Sequence, residues 1–164
     1  MASAAQNLSE YESGIFSGTE DMHFGIVVAE WNASITNALQ QGCYDTLIKE
    51  GVPASQIQIL PVPGSFELVA GAQHLANNQA FDAIICIGCV IKGETKHDEY
   101  ISNAVANGLM QLTLKYELPF VFGVLTPNSQ QQAEDRAGGK YGNKGVEAAT
   151  TALQMATTFN IPVS

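Results

Sequence analysis

The chain predicts an α/β domain in which a four-stranded parallel sheet is covered by helices on both faces. Three observations point there. Four short apolar runs rich in β-branched residues recur along the sequence, and each is followed by a stretch with helical spacing. At 164 residues, with 46% hydrophobic and 14% charged side chains, the chain can bury one substantial core. Parallel strands buried on both sides read as continuous apolar runs, because right-handed helical crossovers cover both faces of their sheet.

In chain order, residues 1–22 are polar, small and acidic without periodicity, and are expected to form an arm that could pair at an edge. A single domain is expected over residues 23–164. "HFGIVVA" (23–29) is the first strand; residues 33–51 have helix spacing through Ile35, Leu39, Cys43 and Leu47 and stop at Gly51. "QIQILPV" (56–62) is the second strand, and residues 65–78 the second helix. "FDAIICIG" (81–88) and residues 98–117 are the third strand and helix, and "LPFVFGVLT" (118–126) is the fourth strand. "SQQQAEDRAGG" and "GNKGVEAATTALQMATTF" read as two further helical stretches split by glycines. The whole is a flavodoxin-like three-layer sandwich.

Composition excludes some functions. A formal charge of −9 without a basic run argues against nucleic acid or an anionic membrane as partner. No apolar run reaches the length of a membrane span and the N-terminus lacks a signal-peptide pattern, so a cytoplasmic location is expected. Cys43, Cys86 and Cys89 are odd in number and lean apolar, which favours buried free thiols. "CIGC" ends a strand and has no second pair, so no metal is expected.

In an open parallel sheet the ligand crevice lies beyond the carboxyl ends of the strands. Those exits are "EWN" (30–32), "PVPGSFE" (61–67), "GCVIKGETKH" (88–97) and "LTPNSQQQ" (125–132), and the first three carry the polar, aromatic and flexible residues a site needs. At the third, Glu94 and Thr95 could bind an oxyanion through amides and hydroxyl near a helix start. His97 could transfer protons near neutral pH, or Thr95, His97 and Asp98 could simply form a helix cap. At the second, Ser65, Phe66 and Glu67 could grip hydroxyls, or Ser65 could cap the helix while Glu67 answers its dipole. Trp31 could stack on a flat heterocycle or pack at a subunit interface. Phe122 lies within a strand and by itself reads as core. Arg136, the only arginine, suits forked binding of phosphate or serves as a surface charge.

Taken together, "VPGSFEL", "GCVIKGETKHDEY", "FGVLT" and "RAGGKYGNKG", in this order and spacing over about residues 24–158, resemble the lumazine synthase family. The resemblance implies a transferase of riboflavin biosynthesis that condenses 5-amino-6-(D-ribitylamino)uracil with 3,4-dihydroxy-2-butanone 4-phosphate, without a cofactor. It implies that Trp31 stacks on the pyrimidine, that Ser65, Phe66 and Glu67 hold the ribityl chain, and that Cys89, Val90 and Ile91 contact the pyrimidine. Glu94 and Thr95 would bind phosphate, and His97 would move protons. Phe122 and Arg136 would come from the adjacent subunit. Glu94 stands where the family often has a small residue, so its carboxylate is expected to point away from phosphate. The family forms pentamers, and the uninterrupted "RAGGKYGNKGVEAA" resembles its icosahedral, shell-forming members. The implied partners are the two small substrates, further copies of the chain and riboflavin synthase. A riboflavin synthase of related fold, a flavin-binding or receiver domain, and a non-catalytic shell protein are the competing readings.

Overall fold

The computed structural model describes residues 7–160; residues 1–6, the beginning of the expected arm, and 161–164 lie outside the described residues. Strands β1 (Phe24–Ala29), β2 (Ile57–Val62), β3 (Ala83–Cys89) and β4 (Phe120–Leu125) form one parallel sheet in the order β2-β1-β3-β4. The helices are α1 (Ala33–Lys49), α2 (Leu68–Asn78), α3 (His97–Tyr116), α4 (Gln130–Glu134) and α5 (Lys144–Phe159). The expected α/β architecture is therefore present.

Side chains alternate between the two faces along each strand, as a period of two requires. Ile26, Val28, Ile85, Ile87 and Val121 pack with Leu39 of α1 and Leu153 of α5 on one face. Val27, Ile84, Cys86, Phe120 and Val124 pack with Leu68 of α2 and Leu109 of α3 on the other. Every residue of β1 and β3 is buried, which is why the two central strands read as unbroken apolar runs. β2 is an edge strand, and Pro61, which has no amide hydrogen to donate, sits there paired opposite Val28.

Cys86 and Cys89 are three apart on one strand and belong to opposite cores, so the CxxC spacing brings no pair of thiols together. All three cysteines are free and buried. Among the described residues no helix is long and apolar enough to cross a membrane.

Three local expectations need correction. The stretch read as helical after Ser129 stops at Glu134; an antiparallel hairpin of β5 (Ala137–Gly139) and β6 (Gly142–Asn143) follows. Gly138 and Gly142 adopt φ of 111° and 79° there, which a helix cannot contain. Asn143 then starts α5 as a true cap, accepting from the Gly145 amide at 2.8 Å while its own amide donates to the Ala38 carbonyl at 2.9 Å.

The cap readings at the two other helix starts also fail. Ser65–Glu67 is a 3-10 turn whose flanking residue is Gly64, and α3 is preceded by Lys96; neither helix has a side-chain cap bond. Residues 7–22 contain no strand, only a 3-10 turn at Thr19–Asp21, and lie against their own domain. Glu50, 8% exposed at the end of α1, holds them: its carboxylate accepts from the Tyr11 hydroxyl at 3.0 Å and the Gly14 amide at 2.9 Å.

Candidate functional site

β1 and β3 are neighbours in the sheet, but their crossovers leave in opposite directions, to β2 on one side and β4 on the other. That reversal opens a crevice at the carboxyl ends of β1 and β3. A cavity of about 780 Å³ occupies it, within the usual range for small-molecule sites.

Its floor is stitched from strand exits. Beyond β1 the Glu30 and Trp31 amides donate to the Val62 and Pro63 carbonyls, at 2.8 and 3.1 Å, tying the first exit to the second. Asn32 crosses the crevice: its side-chain amide donates to the Cys89 carbonyl at 2.9 Å. It does so from a left-handed backbone, φ 61°, a conformation asparagine tolerates better than most residues. The Val90 and Lys92 amides donate to the Leu125 and Pro127 carbonyls, at 2.8 and 2.9 Å, so the third exit is tied to the fourth. Backbone bonding of this density fixes the loops from which the side chains project.

Trp31, Ser65, Phe66, Glu67, Cys89, Val90, Ile91, Thr95 and His97 all line the cavity. Trp31 and Phe66 are 72% and 59% exposed, so their rings are not core but walls of an open cleft. Ser65 is buried, and its hydroxyl lies 2.7 Å from where a Cβ on Gly88 would stand, so only glycine fits at 88. His97 is the first residue of α3, and its exposed ring makes no hydrogen bond among the described residues. Burial holds the Cys89 thiol up at about 11 and pushes Cys43 and Cys86 well above the ordinary thiol range. None is a thiolate nucleophile at neutral pH.

Three expected residues do not line the cavity of this chain. Glu94 and Phe122 are exposed and outside the lining, and the half-buried Arg136 is outside it too. Phe122 corrects its reading as core: at 37% exposure it stands open although Phe120 and Val124, on the same face of β4, are buried. Arg136 follows α4 and donates through Nη1 to the Gln132 carbonyl at 3.1 Å. Among the described residues no group of three or more histidine, cysteine or acidic side chains is placed to hold a metal.

The lining also includes Asn32, Pro63, Gly64, Gly93, Asp98, Tyr100 and Ile101, which were not singled out as site residues. The first four lie in the strand exits. Tyr100 and Ile101 are three and four residues beyond His97, so helix spacing already places them on its face.

The cleft thus presents aromatic walls, backbone donors and acceptors, a hydroxyl and one free imidazole. It suits a flat polar heterocycle and proton transfer without a nucleophilic side chain.

Comparison with known proteins places the chain in a family. The family of 6,7-dimethyl-8-ribityllumazine synthases matches residues 21–160. The chain is 51% identical over 155 residues to the 6,7-dimethyl-8-ribityllumazine synthase of Parabacteroides distasonis, covering 94% of this chain and 97% of that one. It is 53% identical to the protein of the same name from Cytophaga hutchinsonii, with the same coverage. The Porphyromonas gingivalis protein of that name is 49% identical over 156 residues, 95% of this chain and 97% of that one.

Proposed function

The chain belongs to the 6,7-dimethyl-8-ribityllumazine synthase family, and from that premise we propose how its residues carry out the family's reaction. That reaction, the penultimate step of riboflavin biosynthesis, condenses 5-amino-6-(D-ribitylamino)uracil with 3,4-dihydroxy-2-butanone 4-phosphate. The products are 6,7-dimethyl-8-ribityllumazine, phosphate and water, and the chain is a transferase.

The observation that carries the assignment of residues is the convergence of Trp31, Phe66 and His97 on one cavity at the reversal of strand order. In our reading the pyrimidine stacks on Trp31 and meets the backbone and apolar surface of Cys89, Val90 and Ile91. Ser65, Phe66 and Glu67 hold the ribityl chain. The phosphate sits at Thr95 and the amides of Glu94 and Thr95; the position of Glu94 outside the lining supports a carboxylate turned away from it.

Chemistry follows from what the substrates bring. The 5-amino group attacks the ketone and water leaves to form an imine; loss of a proton and of phosphate then gives an enol that tautomerises to a carbonyl, on which the ribitylamino nitrogen closes with loss of a second water. The electrophile and leaving group belong to the butanone phosphate, so no cofactor is required. The protein's part is to orient the amine and move protons, and His97 is the group we assign to the proton transfers.

Phe122 and Arg136 complete the site from an adjacent subunit, Phe122 over the heterocycle and Arg136 on the phosphate. Both lie outside this chain's own cavity, and Phe122 joins Met110 and Leu114 among the exposed apolar side chains that a second copy would cover. The assembly we propose is a pentamer that builds a sixty-subunit shell in the cytoplasm, with riboflavin synthase as a further partner. A shell-sized particle in light scattering is expected; a particle no larger than a pentamer overturns the shell.

Purified protein given both substrates should form the lumazine chromophore at a rate proportional to enzyme. Absence of that absorbance from correctly folded protein would return the chain to the non-catalytic readings.

A further inference from the structure

We propose that Tyr141 is a positioning residue for Arg136, holding the guanidinium in the orientation that receives the phosphate of the butanone substrate. This rests on the reading that Arg136 binds that phosphate.

Arginine is a long, rotamer-rich side chain, and a forked contact to phosphate needs its plane fixed in advance. Arg136 leaves α4 with its backbone amide donating to the Ala133 carbonyl at 3.1 Å, and among the described residues its side chain has one hydrogen bond, Nη1 to the Gln132 carbonyl. One such bond leaves the guanidinium free to swing about it. The second restraint is aromatic: the Arg136 Cζ lies 4.8 Å from the centroid of the Tyr141 ring. A cation at that range is attracted by the ring face, and the contact uses no N–H, so the remaining donors stay available for an anion. Lys140 Nζ also approaches the same ring, at 5.1 Å, so one ring gathers two of the protein's seven positive side chains.

The ring is itself held. Tyr141 lies between the two short strands of the β5–β6 hairpin, its amide donating to the Asp135 carbonyl at 2.7 Å. Its carbonyl accepts from the Leu8 amide of the N-terminal arm, also at 2.7 Å. The Ser9 hydroxyl accepts from the Asn143 amide at 2.9 Å, so the arm braces the hairpin at two points. A half-buried tyrosine anchored on both sides of its peptide is a fixed platform for a mobile cation.

The test compares Tyr141→Leu, Tyr141→Phe and Arg136→Ala by steady-state kinetics with each substrate varied, together with inhibition by inorganic phosphate. Tyr141→Leu should raise the KM for butanone phosphate about 2–5-fold, the range of a partly exposed cation–ring contact. It should raise the inhibition constant of phosphate alike, with kcat and the KM for the pyrimidine at wild-type values. Tyr141→Phe should restore the wild-type KM because the ring remains, and Tyr141→Leu should add nothing to Arg136→Ala. A Phe variant as impaired as Leu, or a Leu variant with unchanged KM in an enzyme where Arg136→Ala raises it, overturns the proposal. If Arg136→Ala itself leaves the KM for butanone phosphate unchanged, the phosphate reading of Arg136 falls first. Tyr141→Met takes the place of the leucine variant should that one lose its fold.

Discussion

His97 opens α3 with a ring that no described residue engages, surrounded in the cavity by aromatic walls, backbone groups and the side chains of Ser65 and Thr95. An imidazole that faces the cavity is placed to pass protons between substrate atoms. Yet the reaction supplies its own nucleophile and leaving group, so binding in the right geometry accounts for much of the acceleration. His97→Ala should therefore lower kcat by about 10–10³-fold without abolishing turnover, while the KM values stay near wild type; unchanged kcat in steady-state assays would remove His97 from the proton transfers. At this scale the sequence pointed to the cavity lining at Trp31, Ser65, Phe66, Thr95 and His97, each in a strand exit, but not at Glu94, which sits in the third exit and lies outside the lining. Phe122 was not legible: period two gives the face a strand residue occupies, but not whether a helix covers it, and here Phe120 and Val124 are covered while Phe122 is open. Asn32 was passed over because its contribution is a bond to the carbonyl of Cys89, 57 positions away, which no local pattern encodes.

The four strands and the long helices were legible because each buries a full face, and a buried face leaves a periodic apolar mark. The hairpin over Ala137–Asn143 buries no such face; its glycines and lysine look like a broken helix until the positive φ angles of Gly138 and Gly142 are seen. The arm was equally opaque, since what docks it is Glu50, an acid at a helix end that sequence alone assigns to solvent. Tyr11 records that docking. Burial first, then the hydrogen bond to Glu50 and then its charge, push the Tyr11 phenol from 10.0 up to about 12. The folded state thus favours the neutral phenol. The stability this contributes is complete below the ordinary tyrosine value and is lost as pH rises through about 12. Subtracting the phenolate absorbance titration of Tyr11→Phe from that of the wild type should isolate one tyrosine with a midpoint near 12; a midpoint at the ordinary value would mean that the arm does not rest on Glu50 in solution.

For the whole molecule the decisive question is where one site ends and the next begins. Nine of the proposed site residues line a single cavity; Glu94, beside Thr95, lies just outside the lining, and Phe122 and Arg136, from other strands and loops, lie outside it as well. A closed ring of identical subunits resolves this if each interface joins the cavity of one copy to the Phe122 and Arg136 of the next. Such a ring makes a prediction that a self-contained site does not. His97→Ala spoils the cavity of the copy that carries it, whereas Arg136→Ala spoils the site of its neighbour. If the two variants are co-expressed in equal amounts and mix at random, an Arg136→Ala copy will follow a His97→Ala copy around the ring in the productive order at about one interface in four, and that site has both native residues. The mixed assembly should then turn over dilute butanone phosphate faster than the mean of the two separate variants, with a KM component matching wild type. Activity equal to that mean, in particles shown by mass spectrometry to contain both chains, would place His97 and Arg136 in the service of the same subunit's site.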